Sequence, residues 1–383
     1  MTVPPAGASP APLAIDVEWT IDFLIRLLRT PSPSGRTDAV VQLIGDELDD
    51  LGFRFELTRR GSLIAELPGR HDGPDRAVVT HADTIGCMVR ALKDNGRLAV
   101  IPVGHHSARF AEGARVSIFT DGGTRPLTGT VLPLKASGHA FNDEVDTQGV
   151  GWDHVEVRID ERIAIRADVE ALGVQVGDFV ALDAEPVRTD AGFLVSRHLD
   201  GKAGVAAAVA AFRALSDGHV SLPVTAHLLI TIAEEVGQGA SHGLDADVAE
   251  MVSVDNAVCA PGQHSIEDGV TIPMADQSGP FDYHLTRKLL RICADHHIPH
   301  ARDTFKWYRS DVAAAIEAGA GTRAALIAFG VDGSHGWERT HVDSVRRVAE
   351  LLTSYLRTDL TFARWDRAPK GELANFPSSR QPT

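Results

Sequence analysis

Apolar residues between Val17 and Leu28 recur at helical spacing, with Phe23, Leu24, Leu27 and Leu28 on one side; the pattern predicts an amphipathic helix. PSPSG at 31–35 ends it. TDAVVQLIGDELDDLG then predicts a second helix with Thr37 as its N-cap. FRFELTRR and SLIAELP alternate as strands do. RAVVTHAD, TAHLLITIAEE, EMVSVDNAV and AALIAFGVD are longer apolar runs that read as buried strands. FLVSRHLDGKAGVAAAVAAFRAL reads as a strand, a polar turn and an Ala-rich helix, while SDVAAAIEAG and DSVRRVAELLTSYLR predict two further helices.

The texture changes after about Cys87. From there to about Pro186 the chain offers short strand-like pieces (RLAVIPV, RVSIFT, GTVLPL, HVEVRID, DFVALD) between Gly- and Asp-rich turns, with no long helical pattern. That predicts a small β-barrel or sandwich. The expected layout is an α/β domain, 16–87 plus 189–365, split by an all-β insertion at 88–188. A disordered segment is expected at 1–15 and a loose tail at 366–383.

A chain of 383 residues exceeds a comfortable single core, in keeping with two domains. The formal net charge of −15 disfavours binding to nucleic acid or anionic lipid. Cys87, Cys259 and Cys293 are scattered and outside any C-x-x-C pattern, so neither a disulfide framework nor a cysteine zinc site is expected. The start, MTVPPAGASPAPLAIDVEW, lacks a basic n-region, and no apolar run approaches a membrane span. The expectation is a soluble cytoplasmic protein.

Metal-competent side chains gather where the apolar strands end. His81 and Asp83 follow RAVVT, Asp200 follows LVSRHL, Glu234 and Glu235 follow TAHLLITIA, Asp255 ends MVSV, and His341 follows AALIAFGVDGSHGWERT. In open α/β sheets that edge binds ligands. Adjacent buried carboxylates such as Glu234 and Glu235 repel and are costly to ionise, so cations between them would offset the cost. Two imidazoles and three carboxylates suit two divalent ions about 3.5–4 Å apart that activate a shared water. The donor set favours zinc, with cobalt or manganese as alternatives. Side chains alternate along a strand end. One glutamate can therefore ligate while the other takes the proton from water. Asp83 is placed to accept the second N–H of the His81 ring. Each piece alone has an ordinary explanation, such as an N-cap for Asp200 or a surface site for His341; their order along the chain is what argues for a centre. GKAG at 201–204 lacks the leading glycine and hydroxyl residue of a P-loop, and no G-x-S-x-G occurs.

HADTIG, RHLDGKAG, TIAEEVGQG, SVDNA and ERTH, in that order, resemble the co-catalytic dinuclear aminopeptidases, and within them peptidase family forty-two of glutamyl, deblocking and tetrahedral aminopeptidases. PSPSG and LGVQVGD agree, and the resemblance runs from about Trp19 to Leu360. It implies a three-layer, mixed-sheet metallopeptidase domain of phosphorylase/hydrolase-like fold with an inserted β-barrel used for dimerisation. It further implies His81 and Asp255 on one metal, Glu235 and His341 on the other, Asp200 bridging, Glu234 as general base, Asp83 orienting His81, and Asp311 near the cleft. Homo-oligomers up to dodecamers are implied as well. Thr84 stands where the family has Glu, VDSV follows His341 in place of Ser-Pro-x-Glu, and GHHSARF replaces a Gly-Gly-Trp-like stretch. These departures resemble a divergent branch, linked to N-acetylglutaminylglutamine amide osmoprotectant metabolism.

The expected function is a metal-dependent aminopeptidase acting on peptides. The alternatives are an amidohydrolase or deacylase of a small N-acylated or amidated dipeptide, and a non-catalytic assembly protein that retains the fold.

Overall fold

The computed structural model describes residues 9–366. The expected N-terminal segment lies partly, and the expected tail almost wholly, outside the described residues.

A nine-stranded mixed sheet organises the larger domain. At its centre Leu222–Thr231, Gly69–His81, Val248–Val258 and Arg323–Val331 lie side by side and parallel. Antiparallel neighbours close both flanks: Phe55–Leu57 and Leu63–Leu67 on one side, Val270–Asp276 on the other. Alternation along the central strands divides the core in two. Val78, Leu228, Val252 and Ile327 face the larger cluster, where the helices Val17–Leu28, Leu199–Asp217, Tyr283–Asp295 and Val342–Leu356 pack. Ala77, Val79, Leu229, Met251 and Leu326 face the other side, covered by Val312 and Ala315 of the helix Asp311–Glu317. Because strands of this kind are covered on both faces, they read as unbroken apolar runs.

The inserted region forms a closed barrel of Gly86–Leu92, Leu98–Val103, Val155–Ile159, Leu127–Pro133, Arg115–Phe119 and Phe179–Leu182, with its own core around Val89, Val116, Val131, Val157 and Val180. Four short helices decorate it: Ala108–Ala111, Gly138–Phe141, Glu144–Thr147 and Arg166–Ala171. At four to six residues each they are too short to leave a periodic signature. A small three-stranded sheet, Val187–Arg188, Phe193–Ser196 and Glu338–His341, lies beside the junction.

The pattern of residues 259–309 predicts no element, yet they hold Val270–Asp276, the helix Tyr283–Asp295 and His300–Thr304. Pro273 interrupts the first, and HARDT has no apolar alternation. The three cysteines are unpaired. Among the described residues no helix is long and apolar enough to cross a membrane.

Candidate metal centre

The four parallel strands deliver their carboxyl ends to one edge. His81 is the last residue of its strand and Asp255 lies near the end of the next. Beyond Thr231 the chain tightens into a short 3-10 turn, Glu234–Val236, which carries the glutamate pair. Asp200 opens the Ala-rich helix with a non-helical ψ of 117°. Gly201 next to it must be glycine, since a Cβ there would lie 2.3 Å from His81 Cδ2.

Asp200 is the hub. Its Oδ1 lies 3.2 Å from His81 Nε2 and its Oδ2 lies 3.2 Å from His335 Nε2. Asn256 Nδ2 also donates to Oδ2. His81 Nε2 further lies 3.7 Å from Asp255 and 3.9 Å from Glu234. His335 Nε2 lies 3.5 Å from Glu235. Two groups of potential ligand atoms result, His81–Asp200–Asp255 and Asp200–Glu235–His335, each with all atoms within 4.8 Å of one another.

Both imidazoles are set by backbone carbonyls. His81 Nδ1 is 3.1 Å from the Asp83 carbonyl oxygen, and His335 Nδ1 is 2.9 Å from that of His105, in the barrel loop GHHSARF. A carbonyl can only accept, so Nδ1 carries a proton in each ring and Nε2 is the atom left to ligate. The Asp83 carboxylate lies farther from His81, at 3.5 Å, and accepts instead from the backbone N–H groups of Glu234 (3.1 Å) and Glu235 (3.3 Å) and from Ser34 Oγ. Its geometry therefore positions the glutamate pair more directly than the His81 ring. Asp311 has a comparable part, accepting from Thr231 Oγ1 at 2.7 Å and the Ala240 N–H at 2.6 Å, which pins both ends of the glutamate loop.

His341 departs from the sequence expectation. Its Nδ1 accepts from the Asp343 N–H at 3.1 Å as the N-cap of Val342–Leu356. Its Nε2 lies 3.2 Å from the Ala191 carbonyl, and its ring packs edge-on against Phe193. It belongs to neither ligand group; His335 occupies the place expected for it. The physical reason is direction. Arg323–Val331 runs toward the site and its following loop carries His335, whereas Glu338–His341 turns antiparallel to Phe193–Ser196 and carries His341 away. The signal was present in the strand-end rule itself, since His335 is the histidine nearer the end of AALIAFGV.

Among protein groups alone the cluster is electrostatically tense. Burial opposes the Asp200 charge, but His335 and His81 outweigh it and hold that carboxyl well below the usual range. Burial pushes Glu234 well up, with Asp255 adding to the shift, and pushes Glu235 up to about 8, with Asp200 adding there. Burial would lower His335, but the Glu235 charge and the Asp200 contact raise it to about 11. Carboxylates crowded to this degree and shared between two imidazoles fit a pair of divalent cations, and imidazole with carboxylate is a donor set for zinc, cobalt or manganese. The centre opens into a cleft of about 1090 Å³ whose walls include His106, Phe305, Trp307 and Tyr308.

Known proteins identify the family of the chain. The family model for M42 glutamyl aminopeptidases matches residues 61–351. YhfE of Bacillus subtilis strain 168, provisionally named an aminopeptidase, is 36% identical over 344 residues, covering 90% of this chain and 99% of its own. Two solved structures share the fold. Aminopeptidase APDkam598 of the archaeon Desulfurococcus kamchatkensis has a TM-score of 0.82 at 20% identity, covering 93% of this chain and 99% of its own. The TET1 peptidase of Pyrococcus horikoshii, described as assembling into a tetrahedron or a large octahedral shell, has a TM-score of 0.75 at 20% identity, covering 88% and 99%. The chain therefore belongs to the M42 glutamyl aminopeptidase family of peptidase hydrolases.

Proposed function

We propose that this chain is a dinuclear aminopeptidase that removes N-terminal residues from peptides. The observation that carries the reading is Asp200, whose two oxygens each lie 3.2 Å from a different imidazole. His81 and Asp255 would hold one divalent ion, Glu235 and His335 the other, and Asp200 would be shared. When bound, such ions supply Lewis-acid chemistry, polarising the scissile carbonyl and acidifying water.

Glu234 is the general base. Its Oε2 lies 3.9 Å from His81 Nε2, and burial pushes its carboxyl well above the ordinary value, so it has an appetite for a proton. It takes the proton of the attacking water and hands it to the leaving amine. Asp83 holds the backbone of the glutamate pair so that Glu234 and Glu235 take different tasks. The acidic surroundings favour the free α-ammonium of a peptide. The inserted barrel supplies contacts for a homo-oligomer in the cytoplasm, a reading supported by its place as a separate closed unit and by the assembly described for the TET1 peptidase.

The test is a mass-spectrometric digest. Protein supplied in turn with zinc, cobalt and manganese meets free-N-terminus peptides together with N-acetylated, amide-capped glutamine dipeptides. Stepwise loss of N-terminal residues that stops with EDTA is the expected result. Cleavage of the capped dipeptides alone would replace the aminopeptidase reading with that of a small-amide hydrolase.

A further inference from the structure

Glu338 has a part in neither the ligand groups nor the proton transfer, yet it sits against both halves of the site. It opens the short strand Glu338–His341 and is 1% exposed. Each carboxylate oxygen accepts one backbone N–H. Oε2 takes that of Asp200 at 3.1 Å, 138 positions back along the chain, and Oε1 takes that of His335 at 2.8 Å. Both oxygens are thereby engaged, and Glu338 belongs to neither group of potential ligands.

The two segments it holds have backbones that no regular ladder fixes. Asp200 has a ψ of 117° at the mouth of a helix, and His335 has a φ of 62°, a left-handed conformation that a side-chain-bearing residue adopts only when its surroundings enforce it. A buried carboxylate this close to the Asp200 charge is repelled by it, and an apolar residue would fill the position in a strand at lower cost. What an apolar residue cannot do is accept two amide N–H groups from two chain segments at once.

We propose that Glu338 is a positioning residue whose carboxylate staples the Asp200 and His335 backbones together and so sets the spacing between the shared carboxylate and the second imidazole. The proposal rests on the two-ion reading above. It also has a built-in asymmetry. Asp200, Glu235 and His335 form one group, and Glu338 touches two of its three members; the His81–Asp200–Asp255 group includes only one of them. Loss of the staple therefore weakens one ion more than the other.

The experiment uses full-length protein stripped with a chelator and titrated with zinc against a chromophoric competitor, comparing wild type with Glu338→Gln and Glu338→Ala. Thermal melts of the stripped proteins run alongside. Gln keeps the shape but sets an amide NH₂ against one of the two N–H groups, so it decides the matter if the Ala variant does not fold. The expected result is two ions on wild type, and on Glu338→Gln one ion near wild-type affinity with the other weaker by about 10–100-fold. Two ions held as tightly by Glu338→Gln as by wild type would overturn the staple. Equal weakening of both ions with a matching drop in melting temperature would reduce Glu338 to a general structural role and overturn it too. A wild type that takes fewer than two ions would instead overturn the two-ion reading on which the staple depends.

Discussion

His335 Nε2 stands 3.2 Å from Asp200 Oδ2, while His341 caps the helix Val342–Leu356 and belongs to neither ligand group. Two alanine variants separate these roles. His335→Ala should lose one of two ions, with affinity at that position falling by more than about 100-fold, since a direct ligand counts for more than an outer-shell partner. His341→Ala should keep both ions and lose about 1 kcal/mol of stability with its cap. Elemental analysis of the two purified variants, with melting curves, checks the pair. Loss of an ion from His341→Ala with none lost from His335→Ala would return the ligand role to His341.

That contrast also shows what the sequence discloses. Strand ends were legible, because buried strands such as LLIT and MVSV are unbroken apolar runs and the residues after them must be polar. That rule points to His81, Asp200, Glu234, Glu235 and Asp255, and the structure brings all five together. For the last histidine the same rule favours His335 only by its nearness to the strand, because GSHGWERTH holds two candidates six residues apart and the hairpin that reverses the chain between them has no apolar signature. The backbone contacts that aim the rings were illegible for a deeper reason. The carbonyls of Asp83 and His105 act through their position, which no side-chain identity encodes.

Glu234→Ala should cut turnover by about 10²–10⁴-fold while both ions stay bound, because a general base contributes to proton transfer and not to ligation. Steady-state kinetics on a peptide amide, paired with metal analysis of the same sample, checks it. Near-normal turnover would remove Glu234 as the base.

Ion uptake should release protons. Protein groups alone raise His335 to about 11, Glu235 to about 8, and His81 well above its ordinary value. Each must be deprotonated to ligate, so apparent affinity falls as pH drops through 8 toward 6, with about three protons released per pair of ions near pH 7, one from each group. Calorimetric titration in two buffers of different ionisation enthalpy measures the number directly. An enthalpy independent of buffer would mean that the site is already deprotonated before the ions bind.

Asp200→Ala should lose both ions, since Asp200 belongs to both ligand groups. Equilibrium dialysis of the variant against zinc gives the count. A variant that still holds two ions tightly would refute the shared carboxylate, and with it the dinuclear arrangement.

The opposite end of the sheet provides a stability test that the metal centre does not touch. Arg76 and Glu250 are register neighbours on adjacent parallel strands, fully buried, 3.1 Å apart. Arg76 also donates to the carbonyls of Tyr355 at 3.0 Å, Thr358 at 3.2 Å and Asp359 at 3.2 Å, gathering the end of the last long helix. Burial would raise Glu250, but Lys288 and Arg76 outweigh it and lower the carboxyl to about 2. Lys288 is itself pushed down to about 7 by burial, so Arg76, which cannot lose its proton, is the firmer partner. A carboxyl whose folded pKa lies below its unfolded value of about 4.3 adds stability that is present above that value and lost as pH falls toward 2. Glu250→Ala strands the Arg76 charge and should cost about 3–5 kcal/mol at neutral pH. It should also flatten the acid limb of the stability curve between about pH 4 and 2, because one of the carboxyls that build that limb is gone. Denaturant unfolding of wild type and variant across that range reads both effects, and ion content at pH 7 should not differ between them. A variant as stable as wild type at pH 7 would show that the pair contributes no more than the desolvation it costs.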